Sequence, residues 1–197
     1  LFYYNAFLML SNGMEAKVGT LGSKFEFFHE WKRLAEEEPG SVALETMLRG
    51  VCKKENFLDL FENFILYDHS GGNTAKILAR NHQYLGVNEA MKAYAARKLN
   101  GGKLGVFWHT QGSGKSYSMV FLAQKIRRKV EGSPTFVILT DREELNAQIS
   151  DTFENCGLLG KTKASQFIAS SGDDLVQKLK GNPSFIFTLI QKFNKPN

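Results

Sequence analysis

The chain has 197 residues, 43% of them hydrophobic, with a formal net charge of +5 and a pI near 9.1. That length suits one domain or one plus part of another, with enough apolar side chain for a sizeable core. No apolar run approaches the roughly 20 residues of a membrane span, and Leu1-Phe2-Tyr3-Tyr4 lacks the basic flank and cleavage site of a signal peptide, so a cytoplasmic protein with no membrane partner is expected. Cys52 and Cys156 are far apart and form no Cys-x-x-Cys, which reads as two buried free thiols in a reducing cytosol. The four histidines show no zinc-ligand spacing. The basic balance fits a polyanionic partner without proving one.

The stretch Ala6 to Leu21 predicts a β-hairpin, with Asn12-Gly13 as a type I′ turn between Phe7-Leu8-Met9-Leu10 and Ala16-Lys17-Val18. Ser23 with Glu26 three residues on predicts a capping box. The helix it opens would carry Phe27, Phe28, Trp31, Leu34 and Ala35 on one face and end at Pro39-Gly40. A second helical pattern holds Leu44, Met47 and Leu48, and a third holds Phe57, Leu58, Phe61, Phe64 and Ile65. The loop His69-Ser70-Gly71-Gly72-Asn73 reads as a boundary. A long helix follows from about Asn81 to Lys98, with Tyr84, Val87, Met91 and Tyr94 inward and Asn100-Gly101-Gly102 as its stop.

Beyond that point strands and helices alternate, which predicts a parallel sheet. The apolar run Leu104-Gly105-Val106-Phe107 reads as a strand leading into Trp108-His109-Thr110-Gln111-Gly112-Ser113-Gly114-Lys115-Ser116. Strand, Gly-rich loop, Lys-Ser and helix in that order are the layout of a phosphate-binding P-loop. Glycines let the backbone curl so that N–H groups point inward at a phosphate, and the helix beginning near Lys115 adds its positive end. Lys115 would reach the β- and γ-phosphates and the Ser116 hydroxyl would ligate Mg²⁺. His109 stands where the full pattern has Gly.

The P-loop helix is expected to bury Met119, Leu122, Ala123, Ile126 and Val130, with Lys125, Arg127, Arg128 and Lys129 on a solvated face. Phe136-Val137-Ile138-Leu139 reads as a strand buried on both sides. Asp141 and Glu144 are expected to cap the next helix, which turns Leu145, Ile149 and Phe153 to the core. Leu175, Val176 and Leu179 mark a further helix before Gly181 and Pro183, and Phe185 to Ile190 reads as the last strand. Polar clusters close both strands: Thr140-Asp141-Arg142, and Thr188 with Gln191-Lys192. Arg80-Asn81-His82-Gln83 opens the helix upstream of the P-loop, and a Gln amide there both donates and accepts, as reading adenine requires.

These segments together resemble the motor and restriction (R) subunit of type I restriction–modification enzymes, which belongs to the superfamily 2 helicase-like translocases. The run from Phe7 to Thr20 is similar to the end of that family's nuclease domain. Glu62 to Leu66 and Lys76 to Tyr84 resemble its domain junction and its adenine-reading Gln motif. Val106 to Ser116 resembles its Walker A segment, in which a His at position 109 is ordinary. Leu139 to Gln148 resembles motif Ia, and Phe187 to Phe193 the next DNA-strand motif.

The resemblance implies an α/β fold, with an incomplete first motor lobe built as a RecA-like P-loop parallel sheet and preceded by the C-terminal part of an α/β nuclease domain. Residues 1–67 would be the nuclease part, 68–80 a linker and 81–197 the N-terminal portion of the ATPase lobe. ATP and Mg²⁺ are implied as cofactors: Gln83 and Arg80 at the base, Thr110, Gln111, Gly112, Ser113, Gly114, Lys115 and Ser116 around the phosphates, Ser116 on the metal. Thr140, Asp141, Arg142, Thr188 and Gln191 would follow double-stranded DNA, and methyltransferase and specificity subunits would be partners. The parent activity would be ATP-driven translocation coupled to double-strand cleavage. In this family the Walker B pair and second lobe lie downstream and the nuclease residues upstream, so the chain, which begins with Leu1, is expected to be an internal piece that is inactive alone. A superfamily 2 helicase or remodeller without a nuclease, and an inert truncated remnant, remain alternatives.

Three further patterns have structural readings. Glu15-Ala16-Lys17 has the Glu-x-Lys form of a metal-dependent nuclease but sits at a hairpin turn. Ile138-Leu139-Thr140-Asp141 resembles a Walker B strand, yet Arg142 follows the Asp where an acidic pair would place Glu. Phe64-Ile65-Leu66-Tyr67-Asp68 has the same look but precedes the P-loop.

Overall fold

The computed structural model describes residues 4–193 and contains two compact units, 1–122 and 123–197. The terminal segments 1–3 and 194–197, which include the apolar start, lie outside the described residues.

In the first unit, β1 (Leu8–Ser11) pairs antiparallel with β2 (Ala16–Gly19), Leu8 opposite Gly19 and Ser11 opposite Ala16. The connection is a four-residue loop rather than the two-residue type I′ turn expected. The Asn12 side chain builds it, accepting from the N–H groups of Met14 (3.0 Å) and Glu15 (2.8 Å), while Gly13 takes the left-handed φ of 92°.

The helix expected from Ser23 does not form. A single 3₁₀ turn, Phe25–Phe27, is followed by extended chain in which His29 bridges Val18. A distant residue overrides the local capping signal. Asn81 Oδ1 accepts from the N–H groups of Lys32 and Arg33, and its Nδ2 donates to the Arg33 carbonyl, so those amides are withdrawn from any helix. Trp31 is buried against Gly50, where an added Cβ would lie 2.1 Å from its Nε1.

α1 (Leu44–Met47) runs into a π-helical turn, 48–52, and α2 (Lys54–Asn63) follows. Phe64 and Ile65 fall outside α2, contrary to the helical pattern, because the chain turns there into β3 (Ile65–Asp68). β3 pairs antiparallel with β4 (Ala75–Leu78), a hairpin unforeseen in the sequence. α3 (Asn81–Ala95) then buries Tyr84, Leu85 and Val87, ending before the expected Lys98, with Met91 and Tyr94 only half-buried. Phe64 is the centre of the core: its ring lies 4.8 Å from Tyr84 and 5.7 Å from Phe121, and Trp31 meets Tyr84 at 5.3 Å.

The segment 104–107 belongs to no strand. Gly105, at φ 117°, breaks the strand conformation, and Phe107 packs on Gly86 instead, where a Cβ would stand 1.9 Å from its ring. α4 (Lys115–Lys129) starts at the expected place, and the unit division falls within it. Val120, Phe121, Ala123 and Ile126 are buried on it. Met119 is exposed and Lys125 is buried, both contrary to the expected faces, and Leu122 and Val130, expected inside, are only half-buried.

In the second unit, β5 (Phe136–Thr140) pairs parallel with β6 (Phe185–Leu189), through a crossover carrying α5 (Glu143–Asn155) and α6 (Gly172–Lys180). Ile168 bridges Phe187 in parallel on the other side, so β6 is central and buried throughout. β5 is not buried on both faces: Val137 and Leu139 are exposed. Leu145, Val176 and Leu179 are also exposed, whereas Ile149, Phe153 and Leu175 are buried as expected. Phe153 packs edge-on against Phe185 and Phe187, each at 5.4 Å, and Phe136 stacks on Phe185 at 5.2 Å. Arg142, not Asp141 or Glu144, holds the N-cap of α5, and no side chain caps it; Asp141 turns instead to the Arg142 guanidinium at 3.3 Å. α6 has a true side-chain cap, Ser171 Oγ accepting from the Asp174 N–H at 3.1 Å. The fold is thus α/β, with two antiparallel hairpins in one unit and a two-stranded parallel ladder in the other.

Candidate nucleotide site

The local sequence dictates the loop. Gly112 and Gly114 adopt φ of 76° and 86°, values that L side chains rarely take, and the chain turns at Thr110, whose carbonyl accepts from the Ser113 N–H at 3.3 Å. α4 starts at Lys115, so its unpaired first-turn N–H groups and positive end face the loop. Lys115 Nζ folds back to donate to the carbonyls of His109 (3.0 Å) and Thr110 (2.9 Å). The ammonium is therefore held over the loop, where a triphosphate would displace those carbonyls. Thr110, Gln111, Gly112 and Lys115 are exposed, and Ser113, Gly114 and Ser116 half-buried. A Cβ at Gly112 would meet nothing within 4 Å, so the loop leaves open space beside it.

α3 holds this loop from behind. Gln83, 3% exposed, accepts from the Arg80 N–H at 2.8 Å and donates through Nε2 to the Gly114 carbonyl at 2.9 Å. A Cβ on Gly114 would stand 2.9 Å from that Nε2. His82 Nε2 lies 3.1 Å from the neighbouring Ser113 carbonyl, a pattern that assigns it the proton. Two consecutive loop carbonyls are thereby fixed by two consecutive helix residues. The His82 ring meets His109 edge-on at 4.5 Å, so His109 fills the space behind the loop. Burial, reinforced by neighbouring cations, holds both imidazoles below the usual histidine range, and both are neutral at pH 7.

A second fastening joins α4 to β3. Tyr117 Oη donates to Asp68 Oδ2, and the Ser70 N–H donates to Oδ1 at 2.8 Å. Burial opposes ionisation of Asp68, but the hydrogen bonds from Tyr117 and Ser70 outweigh it and hold the carboxyl below its ordinary value. A depressed pKa means that Asp68 contributes stability above the ordinary value of 3.8, lost as the pH falls through its lower folded value. Tyr117→Phe should therefore lower stability by about 1.5–3 kcal/mol at pH 7. That deficit should shrink below pH 3.8 as Asp68 protonates, and urea unfolding at the two pH values checks it.

Gly112 to Gly114 of the loop, Arg80, Gln83 and Tyr117 line a cleft of about 580 Å³ together with Gly19 to Lys24, Phe27, His29 and Asn73 to Leu78. Among the described residues no cluster of three His, Cys, Asp or Glu side chains is placed to hold a metal.

The residues expected to follow DNA lie in the second unit. Register pairing sets Thr140 beside Leu189 and Leu139 beside Thr188, and Gln191 Nε2 donates to the Asp141 carbonyl at 3.0 Å. The adjacent C-terminal ends of β5 and β6 thus gather Thr140, Asp141, Arg142, Thr188 and Gln191. Asp141, Arg142 and Gln191 are exposed; Thr140 and Thr188 are buried. Glu15 is exposed in the hairpin loop, and Lys17 Nζ lies 5.0 Å from the Phe25 ring centre. His82, Tyr117 and Asp68 were not anticipated as supports of the loop. Adjacency to Gln83 was a signal for His82, whereas the Tyr117–Asp68 pair, 49 residues apart, left none.

Residues 82–197, from His82 through the P-loop to the end of the chain, match the SWI2/SNF2 ATPase model. The chain belongs to the SWI2/SNF2 ATPase family. The chain is 38% identical over 204 aligned residues to the type I restriction enzyme HindI endonuclease subunit of Haemophilus influenzae, covering 98% of the chain and 19% of that relative. It is 29% identical over 220 residues to the putative MjaIXP endonuclease subunit of Methanocaldococcus jannaschii, covering 99% and 20%. The putative MjaVIIIP subunit of the same organism is 30% identical over 132 residues, covering 65% and 12%. The chain spans about a fifth of the length of the first two of these curated relatives. No described helix is long and apolar enough to cross a membrane.

Proposed function

We propose that the chain is the ATP-binding portion of a motor–endonuclease subunit of the type I restriction class, which uses ATP and Mg²⁺ to drive double-stranded DNA translocation coupled to cleavage. The observation that carries this is the P-loop held in place by the Gln83 and His82 hydrogen bonds, with the Lys115 ammonium drawn over it. Gly112 to Ser116 hold the phosphates, Ser116 the metal, and Gln83 with Arg80 the base. Residues 81–197 belong to a RecA-like lobe whose parallel ladder is β5–β6, 68–80 to a linker and 1–67 to the end of a nuclease domain. The strand ends at Thr140, Asp141, Arg142, Thr188 and Gln191 follow DNA, and methyltransferase and specificity subunits complete the complex. Similarity to endonuclease subunits across nearly the whole chain supports this over a plain helicase.

The test is titration of ATP·Mg²⁺ against the chain, with DNA-stimulated hydrolysis by the full subunit containing it. A Gln amide has two donors and two acceptor lone pairs, and the fold uses one of each, leaving one of each for an adenine edge. Gln83→Ala should therefore raise the KM for ATP roughly three- to tenfold, more than it lowers kcat, and erode the preference for ATP over GTP. Equal use of GTP and ATP by the unaltered subunit counts against this role.

A further inference from the structure

The sequence holds two Asn-Gly pairs, Asn12-Gly13 and Asn100-Gly101. Both lie in exposed loops of the first unit, and the fold treats them in opposite ways. An Asn-Gly pair can react with itself. The Gly nitrogen, once it has given up its proton, attacks Cγ of the asparagine side chain. The new N–Cγ bond closes a cyclic imide, and the Cγ–NH₂ bond breaks with loss of ammonia, which takes the proton. Water then opens the imide at one of its two carbonyls and leaves Asp or isoAsp. One water is consumed and one ammonia released, with no change of oxidation state. Glycine favours the attack because no side chain crowds its nitrogen and its backbone turns freely.

At Asn12 the loop ties down both reacting groups. Asn12 Oδ1 accepts from the Met14 and Glu15 N–H groups at 3.0 and 2.8 Å, and the Gly13 N–H donates to Ser11 Oγ at 2.9 Å. Ser11 Oγ in turn donates to the Glu15 carbonyl at 2.7 Å. Attack on Cγ has to break the Gly13 bond and rotate the amide out of its two. Asn100 has no such network. Its backbone is held in the turns that follow α3, its N–H donating to the Ala96 carbonyl at 3.3 Å and its carbonyl accepting from the Lys103 N–H at 3.1 Å. The Asn100 side-chain amide and the Gly101 N–H have no hydrogen-bond partner among the described residues. Both residues are exposed, and a Cβ on Gly101 would meet nothing within 4 Å, so no packing opposes closure of the imide.

We propose that Asn100 is a site of spontaneous deamidation, and that the Asn12 loop protects its own identical pair. The product places a carboxylate between Lys98 and Lys103, in the connection from α3 to the P-loop. In the isoAsp form the main chain runs through Cβ and Cγ. The carbonyl that accepted from Lys103 is then a free carboxylate off the main chain, so the turn has to be rebuilt.

The experiment ages the 197-residue chain in neutral buffer, folded and in urea, and follows conversion at each asparagine by peptide mass mapping, with isoAsp scored separately. In urea the two pairs should react at similar rates. In the folded chain Asn100 should keep most of its urea rate, while Asn12 should slow about a hundredfold, the combined effect of three hydrogen bonds. Ser11→Ala frees the Gly13 N–H and should quicken Asn12 about fivefold without changing Asn100. A folded-state rate at Asn100 no faster than that at Asn12, or an Asn100 rate that falls as steeply as that of Asn12 on leaving urea, overturns the proposal. An Asn12 rate that Ser11→Ala leaves unchanged overturns the protection assigned to its loop.

Discussion

Replacing Lys115 with Ala should reduce ATP turnover by the full subunit at least about a hundredfold while leaving its fold intact. Two consequences of the geometry add together. The ammonium held by the His109 and Thr110 carbonyls places a positive charge over the loop, and on the proposed function its charge-assisted contact with the β- and γ-phosphates would strengthen as charge shifts during transfer. His82 and His109, the other titratable groups behind the loop, are neutral at pH 7 and cannot take its place. Ala also removes the tie that draws the two loop carbonyls together. Because Lys115 is exposed, no buried packing is lost. The check is steady-state hydrolysis with saturating DNA beside a thermal unfolding curve. Unaltered turnover with an unaltered unfolding curve would show that this loop does not serve the reaction.

The parts of this molecule that were legible in the sequence are those decided by nearby residues. α3, α4, α5 and α6 follow from apolar spacing, and β5 and β6 from short apolar runs bounded by turn residues. The P-loop was legible for the same reason: the backbone shape it needs is supplied by Gly112 and Gly114 themselves. Failures arose where a distant residue decided the outcome. The capping signal at Ser23 and Glu26 is a sound local one, but Asn81, 49 residues on from Lys32, captures the amides that a helix would have used. The run 104–107 has strand composition, yet a strand needs a partner edge; Phe107 instead finds the bare backbone of Gly86. The β3–β4 hairpin was hidden because its first strand continues a helical apolar pattern through Phe64 and Ile65. In the site, the same division separates the loop from its supports. Asp68 looked like a misplaced Walker B aspartate, and its bond to Tyr117 became visible only when the chain was folded.

Phe153→Ala should destabilise the second unit by about 3–5 kcal/mol. Phe153 is 1% exposed, and its ring lies edge-on to both Phe185 and Phe187, the first and third residues of the buried central strand. Phe136 on β5 stacks on Phe185 in turn, so this one ring supports both strands of the parallel ladder. The crowded aromatic side chains have little freedom to collapse into the space left, which places the cost at the upper end of the usual range for a large-to-small core change. Phe153→Leu retains much of the volume and should cost well under half as much. Amide hydrogen exchange over β5 and β6 measures the loss directly, because those amides should become about two to three orders of magnitude less protected in the Ala variant. The ladder ends at Thr140 and Leu189, where Asp141, Arg142 and Gln191 are exposed. On the proposed function, the same variant in the full subunit should therefore lose DNA stimulation of ATP hydrolysis before it loses ATP binding, since the P-loop belongs to the first unit. Protection over β5 and β6 that changes by less than tenfold would show that Phe153 does not support the ladder. Retained protection with lost DNA stimulation would place the ring's importance outside the core of this unit.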